Sequence, residues 1–365
     1  MGMNFYLKKR ISVFAICMLF VFVFTGCSSF NTAKINLYNI KLQKVLATSS
    51  SAYYLSEEGT LYCPGADSDA GSFVLYSDKR SGVVAKNVTD FGEMSSGGYY
   101  INKDNELYVW NSYVNRLYGY NEIKTHTKIL SGVKKIIFDL YYAVYIDVED
   151  NLFLIGEFND QKYSVESPKL LATDVSVFDT YEGTILWIDT KGEIELYGNS
   201  DKTFLDLKII NEKFDGENIV DISLERYQVF ILQKDELWCY GDYDGLINGS
   251  KQGLQKNVML KNGVCDFETS INTLVAIDIY GNAYLWGRCL SNDRSYTSEP
   301  IYKYYDGLKV AEKVTSVSVS DGSFGYVDSQ GRSKIYYSGG FSSFYGNSTK
   351  DEYVGIMREP AEWID

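Results

Sequence analysis

The chain has 365 residues and a formal net charge of -13, since 48 Asp and Glu residues outnumber 35 Lys and Arg residues. Nucleic-acid binding needs a clustered basic surface, and the chain carries no long Lys or Arg cluster, so this composition excludes nucleic acid as a partner. The 32 tyrosines and the single histidine favour a contact surface over histidine-based catalysis.

Residues 1–26 are predicted to be a lipoprotein signal peptide. A basic cluster, Lys8-Lys9-Arg10, precedes an apolar run from Ile11 to Phe24 that is short for a membrane span. Thr25-Gly26-Cys27 resembles the processing box of bacterial lipoproteins, in which the cysteine becomes the lipidated first residue. We therefore expect lipidation at Cys27, a tether over residues 27–42, and a location on the extracytoplasmic face of a bacterial cell membrane. An anchor that is uncleaved, or cleaved elsewhere, is the alternative.

Residues 43–365 repeat one pattern seven times. In the first six units an apolar residue follows a turn, and by subtraction these residues are 46, 45, 42, 43 and 46 positions apart: Leu61, Leu107, Leu152, Ile194, Leu237 and Ala283. An aliphatic residue stands six positions before each of them, a turn former two positions before, and a glycine or asparagine four positions after. The seventh unit begins at Tyr326 and is less regular. Repeats of this length are typical of propellers and solenoids.

Each unit reads as a β-hairpin, because apolar β-formers flank a short turn rich in Gly, Asn and Asp. A further strand precedes the hairpin, as in Val133 to Phe138, and another follows it, as in Lys169 to Leu171. Seven such units predict an all-β fold, a seven-bladed β-propeller of four-stranded blades with no helix outside the leader. A stacked solenoid is the alternative. The sequence leaves open whether Arg358 to Trp363 completes the last blade alone or pairs with N-terminal residues.

Two segments of the sequence resemble a known repeat. Leu237 to Gly249 and Ala283 to Gly287 are similar to the repeat of the regulator of chromosome condensation family, and Trp110 to Gly119 is similar to its loop. The units of that family carry a turn, a short strand ending in Trp-Gly and a loop of the form Asn-x-x-Gly-Gln-Leu-Gly. This chain lacks the characteristic histidine before the second strand. The resemblance covers residues 43–365 and implies a propeller that acts by binding, as do a nuclear exchange factor and a secreted β-lactamase inhibitor of the same fold.

The cysteines and the single histidine are not spaced as in a metal site, so we predict no metal site and no cofactor. Four cysteines remain in the mature chain: Cys63, Cys239, Cys265 and Cys289. Cys265 could pair with Cys289, or both could be free thiols, since sequence does not fix pairing. The sequence has no CxxC spacing, and His126 is its one histidine. Asp242 and Asp244 hint at a calcium loop that lacks its closing Glu.

The many carboxylates allow a two-acid glycosidase, but most stand at the repeated hairpin turns, so no catalytic residue is predicted. The turns between the first and second strands encircle one mouth of a propeller channel, and there acids and tyrosines cluster. The candidate partner-binding residues in these turns are Asp139, Tyr141, Tyr142, Tyr181, Glu182, Glu225, Arg226, Tyr227 and Asp321.

The sequence thus predicts a lipid-anchored binding protein, not an enzyme, that holds a protein or a cell-envelope glycan with one propeller face. Two alternatives stay open. One is an extracellular carbohydrate-active enzyme with two acidic residues at the channel mouth, and the other is a structural subunit of an envelope assembly.

Overall fold

The computed structural model describes residues 40–47, 52–62, 83–94, 97–110, 126–198, 206–249, 256–290, 302–320 and 323–336. These residues form seven small antiparallel sheets, one for each repeat, which together make a seven-bladed β-propeller. The prediction of a propeller is confirmed. Lipidation at Cys27 and the end of the chain after residue 336 lie outside the described residues.

The strands follow one another outward within each blade, with the first strand next to the central channel. Blade 1 contains β1 (Leu42–Ala47), β2 (Ala52–Ser56), β3 (Leu61–Tyr62) and β4 (Val83–Ala85); blade 2 contains β5 (Val88–Met94), β6 (Gly97–Asn102), β7 (Glu106–Trp110) and β8 (Thr127–Ser131). Blade 3 contains β9 (Val133–Phe138), β10 (Tyr142–Asp147), β11 (Leu152–Phe158), β12 (Gln161–Tyr163) and β13 (Lys169–Ala172); blade 4 contains β14 (Val175–Tyr181), β15 (Thr184–Asp189) and β16 (Ile194–Gly198).

The remaining blades repeat this order. Blade 5 contains β17 (Ile219–Leu224), β18 (Gln228–Gln233), β19 (Glu236–Gly241) and β20 (Lys256–Asn262); blade 6 contains β21 (Val264–Ser270), β22 (Thr273–Asp278), β23 (Ala283–Leu290) and β24 (Tyr302–Ala311); blade 7 contains β25 (Val314–Ser320), β26 (Ser323–Asp328) and β27 (Ser333–Tyr336). Apolar side chains fill the wedges between neighbouring blades, as where Ile146 and Leu154 of blade 3 meet Phe178 of blade 4.

One polar side chain shapes the turn between the second and third strands. In blade 6, the Asp278 carboxylate accepts hydrogen bonds from the amides of Tyr280, at 3.0 Å, and Asn282, at 2.8 Å. Equivalent side chains do the same in four other blades: Asn102, Asp147, Asp189 and Asp328. These side chains replace the missing ladder bonds, so the same turn recurs.

Blade 5 departs from this turn. Leu237 pairs with Leu232 there and not with Ile231, which instead faces Trp238. Its turn has two residues, and the left-handed conformation falls on Lys234 (φ 56°). The apolar residue that follows the turn therefore pairs with the aliphatic residue six positions earlier in blades 1, 2, 3, 4 and 6, but not in blade 5.

The glycine that closes most of the repeats has a steric reason. Gly287 faces the first residue of β22 and has φ +90°, and a Cβ atom there would stand 2.0 Å from the carbonyl oxygen of Asn272. L-residues with side chains avoid this backbone region and this contact. The repeated glycine thus marks where the third strand passes under the turn between the first two.

A β-bulge marks the start of the first strand. The side chain of the residue inside the bulge donates a hydrogen bond to a carbonyl oxygen of the second strand. The donors are the hydroxyls of Thr89, Ser176 and Thr315. In blade 6 the Cys265 thiol takes this place and donates to the carbonyl oxygen of Ile277 at 3.5 Å. Cys265 is therefore a free thiol, as is the buried Cys239, and no disulfide joins Cys265 to Cys289. Cys63 lies outside the described residues.

A recurring hydrogen bond joins consecutive blades. The amide of Val88, the first residue of blade 2, donates to the carbonyl oxygen of Gly59 in the turn of blade 1, at 2.9 Å. The same bond links blades 2 and 3, 3 and 4, 5 and 6, and 6 and 7. The amide of Leu42 completes the series by donating to the carbonyl oxygen of Gly331 at 3.0 Å, and β1 packs on β25 and β26. Blade 7 thus meets blade 1 and the ring is closed.

Two short α-helices correct the expectation that the repeats contain none. Helix α1 (Leu207–Lys213) and a 3-10 turn (Gly216–Asn218) connect blades 4 and 5, and Asp206 caps α1 by accepting from the amides of Lys208 and Ile209. Helix α2 (Tyr243–Asn248) follows β19. Both begin at an aspartate, which satisfies amides left without a partner in the first turn.

Candidate functional site

The innermost strands of all seven blades surround a central channel of about 420 Å³. One mouth is bordered by the turns between first and second strands, which we call the upper rim. The turns between second and third strands border the other side, which we call the lower rim. A cavity with convergent polar groups is the default candidate for a binding site.

The side chains of the innermost strands form layers around this channel, because each blade contributes residues at the same register. The middle layer consists of Lys44, Asp90, Lys135, Val177, Asp221, Asp266 and Ser316. The layer above it consists of Leu46, Gly92, Ile137, Asp179, Ser223, Glu268 and Ser318. In this upper layer, blades 1 to 3 are apolar and blades 4 to 7 are polar.

Two lysines partly neutralise the acids of the middle layer. The Lys44 Nζ atom lies 2.9 Å from Asp90 Oδ1 in the next blade, and Lys135 Nζ lies 4.0 Å from Asp221 Oδ1 across the channel wall. Burial lowers the pKa of Lys44, but Asp90 and the nearby Glu268 outweigh it, so the pKa is raised. Lys44 therefore stays charged inside the channel.

The carboxyls of blades 4 to 6 outnumber the cations near them. Burial, and then the neighbouring Asp221, raise the pKa of Asp266 to about 6. Glu268 is open to the channel water yet enclosed by the surrounding strands, and that enclosure raises its pKa although Lys44 lowers it. Burial also raises the pKa of Asp179 to about 6. These groups take up protons near neutral pH, as carboxyls in functional sites often do.

Acids at the upper rim join neighbouring blades. Asp139 accepts a hydrogen bond from the amide of Glu182 in blade 4 at 3.1 Å. Asp179 accepts from the amide of Leu224 in blade 5 at 2.5 Å. Glu225 accepts from the Thr269 hydroxyl in blade 6 at 3.1 Å. Each of these carboxyls therefore bonds the next blade, and only part of the predicted acidic arc is available to a partner.

The predicted rim tyrosines differ in accessibility. Tyr141 is 57% exposed and stands beside Leu140, which is 45% exposed. Tyr142 is 3% exposed and packs between blades 3 and 4, so it does not offer a contact surface. Tyr181 and Tyr227 are half-buried. An apolar residue that sequence reasoning did not name, Ile271 of blade 6, adds a side chain that is 44% exposed.

The charged residues of the upper rim also differ in their exposure to solvent. Glu182 and Arg226 are exposed, and the Arg226 guanidinium lies 5.3 Å from the centre of the Tyr227 ring. Glu225 is 7% exposed. Asp321 lies outside the described residues. The upper rim thus presents Leu140 and Tyr141 on one side of the channel mouth and Tyr227, Arg226 and Ile271 on the other.

The residues considered for catalysis or metal binding, His126 and Asp242, make contacts that support the fold. The His126 ring lies 5.7 Å from that of Tyr100, just before β8. Asp242, from the suspected calcium loop, caps α2 by accepting from the amide of Gly245 at 3.0 Å. Within the described ranges, no three His, Cys, Asp or Glu side chains are grouped to hold a metal ion. None of the helices in the part of the chain that the structure describes is long and apolar enough to cross a membrane.

Sequence reasoning missed most of the channel acids. Asp90, Asp221 and Asp266 each follow two residues after the apolar residue that starts a first strand, namely Val88, Ile219 and Val264. A charge at the same place in three otherwise apolar runs was the signal that could have located them. Glu268 stands two residues after Asp266 on the same face, as strand geometry requires.

No protein-family model matches the sequence, and no curated protein matches it either. The fold does match solved structures. The yeast RCC1 protein Prp20, in its structure with Kap60, aligns with a TM-score of 0.57 at 13% identity, covering 92% of this chain and 89% of that chain. Human WBSCR16 aligns with a TM-score of 0.53 at 13% identity, covering 77% and 85%. A second structure of Prp20p from Saccharomyces cerevisiae aligns with a TM-score of 0.52 at 14% identity, covering 77% of this chain and 80% of that chain. The chain is therefore a seven-bladed propeller structurally similar to RCC1 and WBSCR16, and at this identity the likeness defines the fold.

Proposed function

We propose that this protein is a binding protein, anchored by lipid at Cys27 to the extracytoplasmic face of a bacterial cell membrane, that holds a protein or cell-envelope glycan with its upper rim. The observation that carries the proposal is the set of exposed or half-buried apolar and aromatic side chains around the channel mouth. Leu140, Tyr141 and Ile271 are large apolar groups open to solvent, and rigid tyrosines lose little entropy on contact.

The fold neighbours support a binding role. Prp20p was studied for its binding to Gsp1p and histones, and yeast RCC1 (Prp20) was solved with Kap60 bound. A propeller closed as a ring gives a rigid frame, so turns on one face keep their relative positions when a partner docks. The net charge of -13 disfavours anionic partners and favours a neutral or basic surface.

The binding face is tested by replacing Tyr141, Tyr181 and Tyr227 together with Ala and measuring partner capture from envelope extract. We expect capture to be lost, because these side chains supply the contact area at the mouth. The matched control is Tyr280→Ala. Tyr280 is 80% exposed in the lower-rim turn of blade 6, so its loss should leave capture unchanged. Undiminished capture by the triple variant, or loss in the control, would reject the upper rim as the site.

The membrane address has its own test. Metabolic labelling with a fatty acid should mark the wild-type protein, and Cys27→Ser should abolish both the label and membrane retention. Labelling that persists in this variant would place the lipid elsewhere. Whether the rim binds a partner does not depend on this outcome.

A second candidate function is an extracellular carbohydrate-active enzyme, favoured by the carboxyls with raised pKa values at the mouth. Two carboxyl groups, one protonated and one ionised, are the usual requirement for glycoside hydrolysis. A panel of chromogenic glycosides at high protein concentration tests this candidate. Turnover that Glu225→Gln and Glu268→Gln both abolish would establish it, and an absence of turnover would reject it.

A further inference from the structure

The lower rim carries a group of basic side chains around the turn of blade 7. A cavity of about 480 Å³ opens between the end of β24 in blade 6 and the turn that joins β26 and β27 in blade 7. Four cations line this cavity, and a fifth, Lys41, lies against Gly331 on the other side of the same turn. We call these five residues the basic patch: Lys41, Lys309, Lys313, Arg332 and Lys334.

The basic patch keeps a positive charge after its acids are counted. Lys309 Nζ lies 2.6 Å from Glu312 Oε1, and Arg332 Nη2 lies 2.7 Å from Asp328 Oδ2. These two acids also line the cavity, so five cations less two acids leave a net charge of +3, in a chain whose net charge is -13. The fold assembles the basic patch from separate segments. A local charge opposite to that of the whole chain points to an anionic partner at this place.

Lys41 and Lys313 offer their charge to solvent. Both side chains are exposed, and within the ranges that the structure describes neither ammonium group forms an ion pair. Their backbones are fixed, because the carbonyl oxygen of Lys41 accepts from the amide of Glu57 at 3.0 Å and that of Lys313 accepts from the amide of Ser329 at 2.6 Å. The two charges therefore have a set position on the lower rim and are available to a partner.

Exposed apolar side chains adjoin the basic patch. The turn between β22 and β23 in blade 6 presents Ile279, which is 59% exposed, and Tyr280, which is 80% exposed. Gly281 of this turn lies against the backbone of Lys313, and its carbonyl oxygen accepts from the amide of Val314 at 2.8 Å. Aliphatic and tyrosine side chains beside lysines and an arginine are typical of a surface that lies among the headgroups of a bilayer.

The basic patch occupies one sector of the lower rim. On the side of blade 1 it borders the acidic turn Glu57-Glu58. The lower-rim turns of blades 2 to 5 contain three lysines and five acids: Lys103, Asp104, Glu149, Asp150, Lys191, Glu193, Lys234 and Asp235. The lower rim thus has a basic sector and an acidic sector, so contact with an anionic surface would also fix the orientation of the ring.

The chain enters the propeller beside the basic patch. Lys41 precedes Leu42, the first residue of β1, and Leu42 bonds Gly331 in the turn of blade 7. Under the proposed function the lipid is on Cys27, which is 14 residues before Lys41. A chain of that length spans at most about 50 Å when fully extended. A lipid at Cys27 would therefore keep the basic patch at a high effective concentration next to the bilayer.

We propose that the basic patch and the Ile279-Tyr280 turn dock on the headgroups of anionic phospholipids, so that this sector of the lower rim lies on the membrane and the upper rim faces away from it. The inference deepens the proposed function and rests on its membrane address. Each lysine or arginine near an anionic surface strengthens the contact about fivefold. Tyr280 contacts the membrane in this arrangement and has no part in partner capture, which belongs to the upper rim.

Hydrogen exchange of the full-length protein on vesicles tests the contact. One kind of vesicle contains phosphatidylglycerol and phosphatidylcholine, and the other contains phosphatidylcholine alone. The N-terminal anchor, either the lipid or the uncleaved apolar run, holds the protein on both. We expect the amides of residues 279–281 and 329–332 to exchange at least fivefold more slowly on the anionic vesicles, and the upper-rim amides to exchange equally on both. Equal exchange of the lower-rim amides would overturn the contact.

Charge reversal of the basic patch has a matched control in the acidic sector. Lys41→Glu combined with Lys313→Glu should remove the slow exchange on anionic vesicles. Lys191→Glu combined with Lys234→Glu changes the net charge equally and should keep it. Lys234 matches Lys313 closely, because both are exposed lysines with positive φ, at 56° and 58°. If the control pair also loses the slow exchange, net charge explains the effect and the basic patch is rejected.

The same measurement separates this inference from the proposed function. Release of the protein from both kinds of vesicle would overturn the membrane address and the contact together. Retention on both kinds, with equal exchange of the lower-rim amides, would overturn the contact and leave the membrane address standing. Inorganic phosphate added to the neutral vesicles provides a third arm. Slow lower-rim exchange there would assign the basic patch to a free anion and overturn docking on lipid, whereas unchanged exchange supports it.

Discussion

The amide of Leu42 donates a hydrogen bond to the carbonyl oxygen of Gly331 at 3.0 Å, which joins the first blade to the seventh. This bond has the same place in the repeat as the bond from Val88 to Gly59 that joins blades 1 and 2. The contact that closes the ring is therefore of the same kind as the contacts within it.

Gly331→Ala should destabilise the protein more than Gly183→Ala does. Both glycines have positive φ, at +74° and +82°, so each alanine costs about 1–2 kcal/mol of backbone strain. A Cβ atom at Gly331 would also stand 3.0 Å from Leu42 N and Lys41 Cα, which adds about 1–3 kcal/mol of overpacking, whereas Gly183 faces open space. Chemical denaturation measures both variants. Equal losses would mean that blades 1 and 7 are not in contact in solution.

Tyr142→Phe should lower the free energy of unfolding by about 1–2 kcal/mol, because it removes a buried hydroxyl from a hydrogen-bonded group. Thr180 Oγ1 donates to the carbonyl oxygen of Thr184 at 2.9 Å, so the Tyr142 hydroxyl, 2.6 Å away, donates to Thr180. The amide of Gly183 in turn donates to Tyr142 at 3.1 Å. Tyr141→Phe is the control and should be neutral, since that side chain is exposed. A neutral Tyr142→Phe would contradict the placement of this hydroxyl between blades.

Cys265→Ser should leave stability unchanged or raise it slightly, while Cys265→Ala should cost about 0.5–1.5 kcal/mol. Serine already holds the equivalent place in blade 4, where the Ser176 hydroxyl donates to the carbonyl oxygen of Ile188 at 2.9 Å. A hydroxyl makes this bond better than a thiol does. Thermal unfolding of the two variants side by side provides the measurement. If Ser and Ala prove equivalent, the thiol makes no bond of consequence.

Asp278→Ala should cost about 1–3 kcal/mol at neutral pH, because two turn amides lose their acceptor. Asp278→Asn should cost less, since Asn102 holds the same turn in blade 2. Burial would raise the pKa of Asp278, but hydrogen bonds from Asn282 and Tyr280 lower it below the usual 3.8. The stability it contributes is therefore present above pH 4 and lost as the pH falls through the lowered value. Asp278→Asn should flatten that acid limb in a series of unfolding curves, and an unchanged limb would rule out this role.

The repeat made the fold predictable, because its signals are local. Turn formers, closing glycines or asparagine and apolar residues of the first strand recur from unit to unit, and the predicted strand Val133 to Phe138 has the bounds of β9. The blade 5 register was not predictable, because Ile231 and Leu232 are both aliphatic and either could face Leu237. Helix α1 was missed because it buries a single residue, Ile210, and gives no apolar period, although Asp206 was a capping signal.

The candidate site was predictable only in outline. The sequence placed acids and tyrosines at one mouth of the channel, but it could not separate Tyr141 from Tyr142, since adjacent residues near a strand start point in opposite directions. Which of the two is exposed depends on the turn geometry. The hydrogen bonds that Asp179 and Glu225 accept from the next blade depend on contacts between separate blades, which no local pattern reports.

The upper channel layer is chemically asymmetric about the channel axis. One side is apolar, with Leu46 and Ile137, and the other is polar, with Asp179 and Glu268. Seven equivalent backbones would by themselves let a partner bind in any of seven orientations about the central axis. Because the channel side chains differ from blade to blade, these seven orientations are not chemically equivalent. A partner that docks over the mouth is therefore expected to bind in one preferred orientation about the channel axis.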